Sequence, residues 1–148
     1  MKAGVIVALL AGGYVLGQWL LLRPRPEEQR RMRLRAQAHH QGWQVRLCKP
    51  PSWWSGAPPL VPRYTWHCPS QDGAGRCFLW HEVDGWRALP NGPVPVALQS
   101  CTVPGLTAVE REAQAWHFYW DERSDLAGMA LLCTLADELT AQPIDRSA

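Results

Sequence analysis

The sequence predicts an α+β protein: a single N-terminal transmembrane helix, then a small antiparallel sheet of four or five strands with a packed C-terminal helix. Three observations lead there. Residues Gly4 to Leu22 carry no charge, and Arg23, Arg25, Arg30, Arg31, Arg33 and Arg35 follow directly. Short apolar runs, several alternating with polar residues and punctuated by Pro and Gly, fill residues 43–120. After Ser124 the apolar residues recur at helical spacing.

The apolar run comes first. A bilayer core of about 30 Å takes about 20 helical residues at about 1.5 Å each. Residues 4–22 match that length, and Trp19 stands near the arginine end, where an indole suits the headgroup layer. Residues 23–35 hold six arginines against two glutamates, whereas Lys2 and the amino group precede the run. The positive-inside rule therefore places the N-terminus outside and residues 23–148 in the cytoplasm. A cleaved signal peptide carries its charge before the apolar run and small residues at its end. Here the charge follows, and Gln18-Trp19-Leu20-Leu21-Leu22-Arg23 is a poor cleavage site. Gly13 and Gly17 form a GxxxG pair, and Ala8 and Gly12 repeat the spacing. Such a small-residue face suits helix–helix contact, including a homo-oligomer formed through the anchor. The six arginines are candidate contacts to anionic lipid headgroups, at about 1 kcal/mol for each basic residue near the surface.

Residues 26–41 read as a helix. Pro26 suits its first turn, Glu27 and Glu28 its positive end, and Gly42 a C-terminal stop. Met32, Leu34, Ala36 and Ala38 make no strong stripe, so a solvated or headgroup-facing basic stalk over residues 23–42 is expected. A tryptophan-rich domain over 43–142 and a loose tail follow. Eight of the nine tryptophans lie in it. Bulky rings build a core where aliphatic residues are scarce.

Within that domain Trp43–Leu47 alternates as a strand, and residues 63–68 read as a second. Between them Trp53 and Trp54 stand among five prolines, in a stiffened loop. Residues 76–82 and 86–89 form a hairpin turning at Asp84-Gly85. Residues 90–105, rich in Pro, return irregularly. Residues 107–113 read as a short helix and 116–120 as a strand with rings on both faces. Ser124 caps the last helix, with Leu126, Met129, Ala130, Cys133, Ala136 and Leu139 on its buried face.

Catalytic chemistry has little support. His67, Cys68, Cys77 and His81 cluster in sequence, but Cys77 and His81 lie about 13 Å apart on a strand rising about 3.3 Å per residue. No GxSxG, Walker loop or GxGxxG occurs. Five cysteines at irregular spacing do not form a disulfide framework. Residues 36–148 carry a net charge of −3, which repels a phosphate backbone. No nucleic acid, metal or cofactor is expected.

The segment Leu20-Leu21-Leu22-Arg23-Pro24-Arg25-Pro26-Glu27-Glu28-Gln29-Arg30-Arg31 resembles the end of the anchor in YajC, the small accessory subunit of the bacterial Sec translocase. The likeness covers residues 4–35. It implies a bacterial inner-membrane location and carries over no functional residue. The expected function is a non-catalytic one: the cytoplasmic domain binds or stabilises a protein partner, with Trp53 and Trp54 as the candidate surface. The alternatives are an accessory translocase-type subunit acting through its anchor, and a thiol- or metal-dependent enzyme.

Overall fold

The computed structural model describes residues 2–22, 25–54, 56–68, 76–82, 84–89 and 92–141. The chain divides into two compact units, Met1–Met32 and Arg33–Ala148.

In the first unit, α1 spans Lys2–Leu21. Its residues Gly4–Leu21 have a mean hydropathy of 1.8 and none is buried, so by length and composition the helix is able to cross a membrane. The helix α2 spans Pro26–His40. The Arg25 backbone N–H donates to Glu28 Oε2 at 3.2 Å, half of a capping box, with Pro26 at the first helical position. Its far end is closed by Gly42 at φ 88°, which a side-chain-bearing residue rarely adopts. There Trp43 N–H donates to Ala38 C=O and Gly42 N–H to His39 C=O, the two bonds of a Schellman cap.

Leu34 and Ala38, at 1% and 0% exposure, belong to the core of the second unit with Trp43. The stalk expectation is thus corrected for the end of α2 alone: two positions one turn apart suffice to dock it, and no long stripe is needed.

The second unit holds six strands rather than four or five: β1 Gln44–Cys48, β2 Val61–His67, β3 Cys77–Glu82, β4 Gly85–Leu89, β5 Leu106–Glu112 and β6 Ala115–Trp120. They form one antiparallel sheet in the order β1-β2-β6-β5-β3-β4. The additional strand is β5, which replaces the expected helix at 107–113. Its Ala-Val-Glu-Arg-Glu run favours a helix locally. Pairing on both sides, to β6 and β3, overrides that preference. The β3–β4 hairpin closes with Glu82 opposite Gly85, so Gly85 belongs to β4 rather than to the turn. Residues 71–75 and the tail from 142 lie outside the described residues. A short helix, α3 Val96–Gln99, interrupts the stretch read as irregular.

One face of the sheet carries the main core. Val45, Tyr64, Phe118, Val109, Leu79 and Ala88 align across all six strands. They pack with α4, Leu126–Ala141, and the end of α2. The buried face of α4 is Gly128, Met129, Leu132, Leu135, Ala136 and Leu139. Leu126 is 58% exposed, Ala130 is exposed and Cys133 is half-buried. The helix is apolar almost all round, so two stripes shared the period. Asp125 caps it, its Oδ1 accepting from Ala127 N–H at 3.0 Å, while Ser124 reaches Pro104 C=O instead.

Candidate functional site

Among the described residues of the second unit, the apolar cluster on the second face of the sheet contains strand and loop residues only, and polar side chains surround it. One row across this face reads Arg46, Arg63, Tyr119, Ala108, Trp80 and Arg87. The next holds Gln44, Thr65, His117, Glu110, Phe78 and Leu89.

The β1–β2 loop folds across part of this face, because Pro50 and Pro51 end β1 and stiffen the return. Trp53 meets Phe78, Trp80 and Tyr119 at ring-centroid distances of 5.4, 5.9 and 6.4 Å. Trp54 meets Tyr119 edge-on at 6.1 Å. Both tryptophans are half-buried, and with Val61, Ala108 and Tyr119 they form a second, smaller core. The candidate surface residues therefore sit over a sheet, Trp53 held by three rings and Trp54 by one.

Beside this lid lies a polar network. Tyr119 OH donates to Glu110 Oε2 at 2.9 Å, and Arg76 Nε donates to Glu110 Oε1 at 2.9 Å. Glu110 is 3% exposed. A buried carboxylate on a strand requires such donors, since an unpaired one is strongly disfavoured. Burial, then the Glu110 carboxylate, pushes the Tyr119 phenol well above its ordinary range. Thr65 Oγ1 and His117 Nδ1 lie 2.9 Å apart, and His117 Nε2 lies 3.4 Å from Glu112 Oε2. With the proton on Nε2 facing Glu112, Nδ1 accepts the Thr65 hydroxyl. Burial holds the His117 pKa below its ordinary value, so the ring is neutral at pH 7.

Hydroxyl, imidazole and carboxylate in that order are the parts of a nucleophile, its base and its orienter. Thr65 and His117 are each 6% exposed, which keeps a substrate carbonyl away from the hydroxyl. The chain of bonds serves to satisfy buried polar groups.

Other chemistry is dispersed. Cys101, His81 and Asp84 line a cleft of about 410 Å³, but among the described residues no hydrogen bond joins them. Burial pushes the thiols of Cys48, Cys77, Cys101 and Cys133 up, away from reactive thiolate. All five cysteines are free. No group of three His, Cys, Asp or Glu among the described residues is placed to hold a metal.

The remaining candidates fall in different places. Ala8, Gly12, Gly13 and Gly17 lie on α1, and the three glycines have open space where a Cβ would stand. Arg25, Arg31 and Arg33 are exposed, while Arg30 is half-buried and Arg23 lies outside the described residues. Arg35 is ion-paired within the second unit. Its Nε and Nη2 donate to Glu122 Oε1 and Oε2 at 2.7 and 2.8 Å, and Tyr64 OH donates to the same carboxylate at 2.8 Å. The network around Glu110 and His117 was missed in sequence, because nothing in a chain of alternating residues marks which polar side chains share a row.

Comparison with protein families, with curated proteins and with solved structures finds no match to this chain.

Proposed function

We propose that the protein is a single-pass protein of the bacterial inner membrane whose second unit binds or stabilises a protein partner without catalysis. In this reading α1 is the anchor, the N-terminus is outside and residues 23–148 are cytoplasmic. The exposed arginines after α1 contact lipid headgroups, and Ala8, Gly12, Gly13 and Gly17 give the anchor a face for helix–helix contact.

The observation that carries the partner-binding reading is the placement of Trp54. A large ring, half-exposed on a proline-stiffened loop and resting edge-on against Tyr119 of the sheet, is preorganised for contact. Raised thiol pKa values and a buried Thr65 support a non-catalytic role.

The two tryptophans separate contact from packing. Trp53→Ala removes three ring contacts and should lower stability by about 3 kcal/mol. Trp54→Ala, which loses one ring contact, should cost clearly less stability than Trp53→Ala and abolish cross-linking of the full-length protein to its partner in membranes. Retained cross-linking in Trp54→Ala, or none in the wild type, would overturn the reading.

A further inference from the structure

Arg46 and Arg63 face each other as direct cross-strand partners on the second face of the sheet. Like charges so placed, with Cβ atoms about 4.5–5.5 Å apart, destabilise a sheet. Among the described residues neither guanidinium has a carboxylate partner, and Arg63 Nε is buried with no hydrogen-bond partner. An unpaired buried donor of a charged group is unfavourable. The carboxylates described on this face are already engaged. Glu110 is held by Arg76 and Tyr119, Glu112 by Arg76 and His117, and Glu82 by Arg87 and Trp80. Two positive charges are thus left without internal neutralisation, beside Tyr119 and the Trp54 ring that rests on it.

Protection of a sheet edge by a charge accounts for Arg46, because β1 is an edge strand. It does not account for Arg63, whose strand is paired on both sides. We infer that Arg46 and Arg63 bind the carboxylates of an acidic, extended peptide segment of the partner, which adds to the free edge of β1. A strand added there sends alternate side chains to the second face, where an Asp or Glu meets Arg46. Arg63 then receives the fork geometry that guanidinium and carboxylate share. The inference rests on the partner-binding reading and specifies the chemistry of the partner.

The test uses the full-length chain in uncharged detergent micelles and a fluorescent peptide of about eight residues alternating Glu and Val, long enough to run past a strand of typical length. Saturable binding should weaken about tenfold in Arg46→Gln or Arg63→Gln, as expected for loss of one charge-assisted hydrogen bond. It should also weaken with added salt. Arg87→Gln, whose native guanidinium is held by Glu82, should bind as the wild type does. Arg46→Glu gives Arg63 an internal partner, so it should abolish binding and raise the melting temperature.

No saturable binding by the wild type, or binding unchanged in Arg46→Glu, would overturn the inference. So would displacement of the peptide by equimolar inorganic phosphate or by phosphatidylglycerol vesicles, which would identify a simple anion site or a lipid surface. Cross-linking to a partner that is lost in Trp54→Ala yet kept in Arg46→Glu would remove this inference and leave the partner-binding reading standing.

Discussion

His117 couples the sheet to pH. Burial depresses its pKa in the folded state, although Glu112 partly opposes that. In the unfolded chain the imidazole titrates near its ordinary value of about 6.5. Below that value the unfolded chain holds a proton that the folded one lacks, so stability falls as pH falls. The neutral form's advantage is complete above the unfolded pKa and is lost on the way down to the folded one. Melting temperature should therefore drop between pH 7.5 and 5.5, and His117→Gln should flatten that drop. An identical pH profile in wild type and variant would contradict this account. The same residue shows where the sequence was opaque. The alternation of Trp116, Phe118 and Trp120 with His117 and Tyr119 marked β6 correctly, yet its second face proved as buried as its first. A histidine between aromatic residues does not reveal that Thr65 and Glu112 stand on either side of its ring.

At the level of elements, the contact that seats the end of α2 on the sheet is ionic as well as apolar. Glu122 is 1% exposed, and it adopts φ 59°, a backbone conformation unfavourable for a non-glycine residue. Arg35 and Tyr64 hold its carboxylate there. Glu122, with burial the larger cause, pushes the Tyr64 phenol far up, so that hydroxyl stays a donor at any ordinary pH. Arg35→Met removes the charged partner of a buried carboxylate. Removing one member of a buried pair costs about 3–5 kcal/mol. Urea unfolding of Arg35→Met should show a loss at the low end of that range, since Arg35 is 30% exposed. A loss under about 1 kcal/mol, the level of exposed pairs, would contradict the role assigned to it.

Elements with strong local signals were legible: the first turn of α2 from Pro26 and Glu28, its end from Gly42, and β1 and β2 to within two residues. The strand β5 was not, because Glu110 and Arg111 are both buried and erase the polar–apolar alternation. The face of α4 was right at Met129, Ala136 and Leu139 and wrong at Leu126, Ala130 and Cys133, because apolar residues surround the helix. Thr134, Asp137 and Glu138 mark its solvent side, and reading inward from them points to Leu132, Leu135 and Leu139.

Across the whole molecule, an exposed apolar helix and a folded α+β unit share one chain. Within α1, apolar side chains such as Leu9, Leu10 and Leu16 are each above 60% exposure. By length and composition such a helix is able to cross a membrane. The proposed role requires that α1 stay attached and that the arginines after it remain on the cytoplasmic side. The most direct measurement is a C-terminal fusion to a phosphatase active only in the periplasm, expressed in bacteria and assayed together with the size of the membrane-bound chain. A full-length membrane protein with no phosphatase activity is expected. Strong activity, or a chain shortened by cleavage near residue 20, would contradict it.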